Sequence, residues 1–304
     1  MATQTVREQA TAPAPRRKGS AARAPGERSL VAAPSTWVVW AFAAAFFVFL
    51  LGILVSVVVD SFGKSWFKGW LPESFSADWY SSAWEQFGMT RIIGVTLVVA
   101  VAVIIISVAV GVPAAYLLAR RTFPFKRTIN LLFLLPVLMP PVTYGIPLAT
   151  VMYNVGLGRT LTAVILVNLV PSVPFVIMTM TPFIEQINPA IESAARMSGA
   201  NMRKVFTKIL MPLLVPGVLA ASILVLVRTV GMFDLTFLVS GPTSDTLVVA
   251  IYRAMTAAGG GEPRALISSM AVVYTATMMV ILVVALRFVS PTQLVARVKD
   301  SRDD

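Results

Sequence analysis

The sequence predicts an all-α integral membrane protein of six transmembrane helices, with both termini on the cytoplasmic side and a short amphipathic helix on that same face. Three observations predict it. Six blocks, at residues 37–59, 92–119, 129–152, 161–180, 209–227 and 265–286, contain no Asp, Glu, Lys or Arg. Uncharged apolar runs of about 18 residues or more read as membrane spans, because a helix rises about 1.5 Å per residue through a hydrocarbon layer about 30 Å thick. Of the 25 Lys and Arg residues, 18 fall in residues 1–36, 120–128, 181–208 and 287–304, alternate segments that lie on one side of a six-span chain. Both sides carry seven acidic residues, so the asymmetry belongs to Lys and Arg and places both termini inside. Finally, 57% of the residues are hydrophobic, above the roughly 45–50% of soluble domains.

Taken in order, residues 1–36 are rich in Ala, Pro, Arg and Ser without hydrophobic period, and predict a disordered basic cytoplasmic tail. Arg16-Arg17 resembles a twin-arginine signal, but no apolar stretch follows promptly and no small-residue cleavage site follows the first block, so that block reads as a retained helix. Residues 37–289 form the six-helix domain, and 290–304 a cytoplasmic tail. The third block carries Pro136, Pro140, Pro141 and Pro147, the fourth Pro171 and Pro174, and the fifth Pro216. Proline frees a carbonyl and kinks a helix, which membranes tolerate beside neighbouring helices or a water-lined cavity. The expectation is therefore kinked but continuous spans. Gly259, Gly260 and Gly261 lack a following Lys-Ser/Thr and read as a flexible turn before the last span, not a phosphate loop. No internal repeat supports an inverted-repeat transporter.

The chain has no cysteine and no histidine. That excludes disulfide scaffolds, thiolate or imidazole metal sites, and the commonest catalytic base. No catalytic residue and no metal site is expected. The net charge of +11 is explained by membrane sidedness and does not call for a nucleic acid.

Residues 187–212, INPAIESAARMSGANMRKVFTKILMP, carry the most information. Asn188 followed by Pro189 starts a helix, as N-cap and first helical residue. Ile191, Ala194, Ala195 and Ser198 share one narrow face of small and apolar side chains, suited to close docking. Gly199 is placed to end the helix in a left-handed turn. Asn201 then caps a second helix with Arg203, Lys204 and Lys208 that enters the membrane at Ile209. This stretch resembles the EAA loop of ABC importer permeases, whose pattern is Glu-Ala-Ala, three residues, Gly, nine residues, Ile-x-Leu-Pro. Ser193-Ala194-Ala195 occupies the first element, Gly199 follows after three residues, and Ile209-Leu210-Met211-Pro212 after nine more. Ser193 replaces the glutamate, with Glu192 adjacent, and Met211 replaces leucine. Either Glu192 or Ser193 takes the glutamate role.

The resemblance runs from about residue 90 to 286. Residues 131–158 are similar to the proline-rich third span of polyamine, ferric-ion and phosphonate permeases, and residues 228–255 to the segment after the fifth span in that group. Maltose-type permeases fit this later segment less well. The resemblance implies a type I, binding-protein-dependent permease subunit in the bacterial inner membrane. It implies a cytoplasmic coupling (EAA) helix within a coupling loop at residues 183–212, with Glu192, Ser193, Ala194, Ala195, Gly199, Ile209 and Pro212 as coupling residues. It further implies two ABC ATPase subunits that bind ATP and Mg, a second permease subunit that is a different chain, an extracytoplasmic binding protein and surrounding lipid. No cofactor is expected in this chain. The cargo stays open among polyamine, phosphonate and ferric classes, with a sugar as the alternative.

Arg228 and Asp234 are pathway candidates, because ionisable groups within or bordering spans mark transport routes, and Tyr144, beside Pro140 and Pro141, is a further lining candidate whose alternative role is packing. Arg228 either snorkels to the outer interface or pairs with Asp234, or it faces the pathway and meets an anionic cargo or the binding protein. Two other classes compete. An intramembrane aspartyl enzyme would use Asp234 and Asp245, but both lie outside the charge-free blocks and no histidine or metal cluster accompanies them. A secondary transporter would carry carboxylates within its spans, and these blocks have none.

Overall fold

The computed structural model describes residues 34–65, 69, 71–257 and 260–287. The expectations for residues 1–33, for Gly259 and for the tail at 290–304 lie outside these described residues. The chain divides into two compact units, residues 1–52 and 53–304. The first contains most of α1 (Pro34–Phe62), an unbroken helix in which Trp37, Trp40, Phe42 and Phe47 are exposed. Exposed aromatics along a helix are at home where the surrounding solvent is hydrocarbon.

The second unit begins within α1 and continues through a two-stranded antiparallel ribbon, β1 (Gly63–Ser65) and β2 (Ser74–Phe75). Then come α2 (Asp78–Phe87), α3 (Met89–Arg120), α4 (Lys126–Leu138), α5 (Pro141–Asn154) and α6 (Leu161–Glu185). The short helices α7 (Pro189–Met197) and α8 (Met202–Lys204) precede a π-helical turn at Val205–Leu210. That turn runs without interruption into α9 (Met211–Val230). The rest is α10 (Asp234–Val239), α11 (Leu247–Met255) and α12 (Arg264–Arg287).

Five helices are long and apolar enough to cross a membrane, or six if the bent pair α4–α5 counts as one span. Here the structure corrects the expectation of a continuous third span, since α4 and α5 meet at 97°. The cause is local. A residue before proline is pushed out of the helical region, and Met139 and Pro140 both precede prolines. They are extended, with ψ of 144° and 131°. Two consecutive non-helical residues break a helix rather than kink it.

The main core lies where α3, α6 and α9 pack, around Val103, Val112, Met180, Ile184, Leu214 and Val225. A second core joins α2, the start of α3, α11 and α12 through Ala83, Met89, Leu247, Leu266 and Met270. Buried polar side chains tie the elements together. Asn168 of α6 donates to the Thr236 hydroxyl of α10 at 3.2 Å, and the Leu247 amide donates to the Thr96 hydroxyl of α3 at 3.0 Å. Asp60 near the end of α1 accepts from the Ser268 hydroxyl of α12 at 2.6 Å.

Gly111 sets the spacing of α3 against α6, because a Cβ there would lie 2.7 Å from Val176 Cγ1. Gly94 on the same helix has nothing within 4 Å of such a Cβ. Gly111→Ala should therefore destabilise by about 1–3 kcal/mol through overpacking. Gly94→Ala should stabilise by about 0.5–1 kcal/mol, because alanine loses less backbone freedom in a helix. Thermal unfolding of the detergent-solubilised protein, with melting temperatures moving in opposite directions, checks this.

Candidate coupling segment and pathway residues

The segment between α6 and α9 is built from local signals. Asn188 Oδ1 accepts from the Ala190 amide at 2.9 Å, with Pro189 in the first turn of α7. The helix ends at Ser198, and Gly199 adopts φ +81°. Asn201 Oδ1 then accepts from the Lys204 amide at 2.9 Å and starts α8. Pro212 sits in the first turn of α9 and has no N–H to give to an earlier carbonyl. Its ring would also crowd the carbonyl four residues back, and a wider turn relieves both. The π-helix at Val205–Leu210, which contains Ile209, lies directly before it.

Glu192 and Ser193 are neighbours with opposite surroundings. Ser193 is exposed, and its hydroxyl makes only a 3.3 Å bond to the Pro189 carbonyl. Ala194 is exposed and Ala195 half-buried. The Glu192 side chain is 6% exposed. Its Oε2 accepts from the Tyr116 hydroxyl at 2.7 Å, and its Oε1 accepts from Arg120 Nε at 2.7 Å. Arg196, one turn along α7, adds a longer ion pair at 3.7 Å. Arg120 also donates through Nη2 to the Ile187 carbonyl at 2.6 Å. The Tyr116 ring meets Phe206 of the π-helix edge-on, with centroids 5.6 Å apart. The Glu192 carboxylate is thus turned into the chain and satisfied there. Tyr116 and Arg120 were not singled out from the sequence. The signal for them is a Tyr and an Arg four residues apart at the end of a span.

The structure brings the three pathway candidates into one region. Tyr144 of α5, Arg228 in the last turn of α9 and Asp234 at the start of α10 are all half-buried, and both charges act on the Tyr144 hydroxyl. That hydroxyl is buried without a hydrogen-bond partner among the described residues. Arg228 and Asp234 form no ion pair there. Instead the Arg228 guanidinium lies over the Phe175 ring of α6, 5.6 Å from its centroid. The arrangement leaves a cation and an anion near one another with hydrogen-bonding capacity unspent.

Asp245 is engaged in structure. Its carboxylate accepts from the Ser240 hydroxyl at 2.7 Å and pairs with Arg253 at 2.8 Å. Residues 240–246 therefore form a fixed connection, also held by the Arg159 amide donating to the Val239 carbonyl at 2.8 Å. Among the described residues no group of three or more acidic side chains could hold a metal ion.

Gly199 has open space around it, so substitution there acts through the backbone alone. A left-handed conformation costs an L-residue about 1–2 kcal/mol, less for asparagine. Gly199→Ala should lower stability by that amount and Gly199→Asn by less, read as the order of melting temperatures.

Comparison with known proteins gives this geometry a family. Residues 107–300 match the family model described as binding-protein-dependent transport system inner membrane component. The chain is 31% identical to the trehalose transport system permease protein SugB of Mycobacterium tuberculosis, across 69% of this chain and 74% of SugB. It is 30% identical to the molybdenum transport system permease protein ModB of Haemophilus influenzae, across 60% of this chain and 86% of ModB. A probable ABC transporter permease, y4oR of Sinorhizobium fredii, is 29% identical, with 57% of this chain and 62% of that protein matched. In fold, the chain resembles a bacterial ABC transporter involved in the import of the acidic polysaccharide alginate. That match has TM-score 0.67 at 16% identity, and covers 85% of this chain and 99% of the other. It also resembles the inward-facing MetNI methionine transporter, with TM-score 0.55 at 19% identity over 66% and 93% of the two chains. The chain belongs to the family of binding-protein-dependent transport system inner membrane components, as a multi-pass permease subunit of an ABC importer.

Proposed function

We propose that this permease subunit carries a small solute bearing an anionic oxygen group, of the phosphonate or oxyanion class, delivered by an extracytoplasmic binding protein. The observation that carries the reading is Arg228, half-buried over Phe175 and without a carboxylate partner among the described residues. A cation left unpaired at the border of a span is expensive unless it serves a solute or a pathway. The Tyr144 hydroxyl, within electrostatic range of Arg228, is buried without a hydrogen-bond partner among the described residues and becomes available to the same solute when the pathway opens. Similarity to molybdenum permeases supports this class, and Arg228 argues against a polyamine. Similarity to a trehalose permease favours a second reading, a neutral sugar.

The working assembly in this proposal has two ABC ATPases, which bind ATP and Mg, and a second permease subunit of different sequence. Both termini of this chain face the cytoplasm, following the Lys and Arg count. The exposed face of α7, with Ser193 and Ala194, docks on an ATPase. Displacement then passes through Ala195, Gly199, Ile209 and Pro212 to α9. The chain itself performs no chemistry.

The test is uptake into liposomes holding the permease pair and ATPase, with loaded binding protein, across a panel of molybdate, a phosphonate, trehalose and a polyamine. An anionic solute should drive ATP-dependent uptake. Arg228→Gln should lower it about tenfold or more, the scale of a lost charge-assisted hydrogen bond, without loss of ATPase co-purification. Uptake of the sugar or polyamine alone, unaffected by Arg228→Gln, would overturn the anionic reading.

A further inference from the structure

Glu192 is buried, charged and three-fold partnered on a segment expected to meet another protein. This inference rests on the coupling role proposed above for residues 183–212. We infer that Glu192 is a transmission residue inside the permease, locking the coupling helix α7 to the end of α3 through Arg120 and Tyr116, and is not a docking contact to the ATPase.

The geometry is specific. Tyr116 and Arg120 are one turn apart on the last turns of α3, and each meets a different oxygen of the carboxylate at 2.7 Å. The second arm of Arg120 holds the Ile187 carbonyl at 2.6 Å, just before α7 begins. One guanidinium therefore grips α7 at its entry and at its first turn. A charge-assisted contact of this length, withdrawn from water, is stiff, and loses much if either partner leaves. Tyr116 also packs on Phe206, so the same knot includes the π-helix that leads into α9.

Two routes then leave α7. One follows the chain through Gly199 and the π-helix into α9. The other crosses Glu192 into α3, which packs against α6 at Gly111 and Val176. A push on the exposed Ser193–Ala194 face reaches two spans together. An α7 held only by its chain connections would be free to pivot about Gly199 without moving α3.

The experiment uses the full transporter with its ATPase and binding protein. Wild type must co-purify with the ATPase and show ATP-driven uptake, and failure of that control refutes the coupling reading itself. Glu192→Ala and Arg120→Ala should each retain the ATPase on co-purification. Each should lower solute moved per ATP hydrolysed about tenfold, within the range of site-to-site coupling energies. The half-saturating concentration of loaded binding protein should stay unchanged. The exchange Glu192→Arg with Arg120→Glu should recover part of the loss. By contrast, Ala194→Arg on the exposed face should lose the ATPase. If the alanine variants do not accumulate in the membrane, Glu192→Gln and Arg120→Lys carry the same readouts. Loss of the ATPase with Glu192→Ala but not with Arg120→Ala would overturn the inference, since Glu192 would then be a docking contact. Unchanged coupling in both single variants, or an exchange no better than either single variant, would overturn it as well.

Discussion

A carboxylate taken out of water has to be met by charge and hydrogen bonds at fixed positions, and those positions fix whatever carries them. Glu192 is met from α3, an element 72 residues away along the chain. That single requirement orients α7, because the helix has to present Glu192 inward and therefore Ser193 and Ala194 outward. It also brings the end of α3, the entry to α7 and the π-helix into one cluster. The proposed docking face follows from the same orientation.

The remainder of the second unit can be understood as support for that cluster. Gly111 lets α3 and α6 approach closely along their length, so the end of α3 is held against a packed pair. At the far end, the Thr96 hydroxyl receives the Leu247 amide, and Asp245 is tied to Arg253 and Ser240. Both ends of α3 are therefore anchored through side chains, while its middle is anchored by packing. Beyond the 97° bend between α4 and α5, Tyr144 lies within electrostatic range of Arg228 and Asp234.

Much of this was legible in the sequence where the signal is local. Charge-free blocks are a direct consequence of hydrocarbon as solvent, and the helices follow them. Asn188, Gly199 and Asn201 form caps and a left-handed turn from short-range chemistry, and each takes the predicted place. What was not legible depends on partners distant in the chain. The inward turn of Glu192 needs Tyr116 and Arg120, and nothing in residues 187–212 announces them. Each proline of the third span, taken singly, predicts a kink. The break arises from two adjacent residues both preceding prolines. A six-residue π-helix is too short for its wider period to stand out in the sequence against the ordinary helical one. Arg228 left two readings open. The structure places its charge over Phe175 and not on Asp234, a choice that spacing alone does not make.

The central claim is that α7 and the end of α3 move as one body. The chain has no cysteine, so Arg121→Cys and Arg196→Cys introduce a single pair of spin labels at exposed positions, off the Ser193–Ala194 docking face and at the cost only of the longest Glu192 contact, 3.7 Å. Their separation can be measured by pulsed electron resonance in the nanodisc-embedded transporter, nucleotide-free and ATP-bound, under conditions that support uptake. The account predicts one distance distribution in both states, and a broadened one when Glu192→Ala is added. A distribution that shifts between the two states in the otherwise native chain would contradict it.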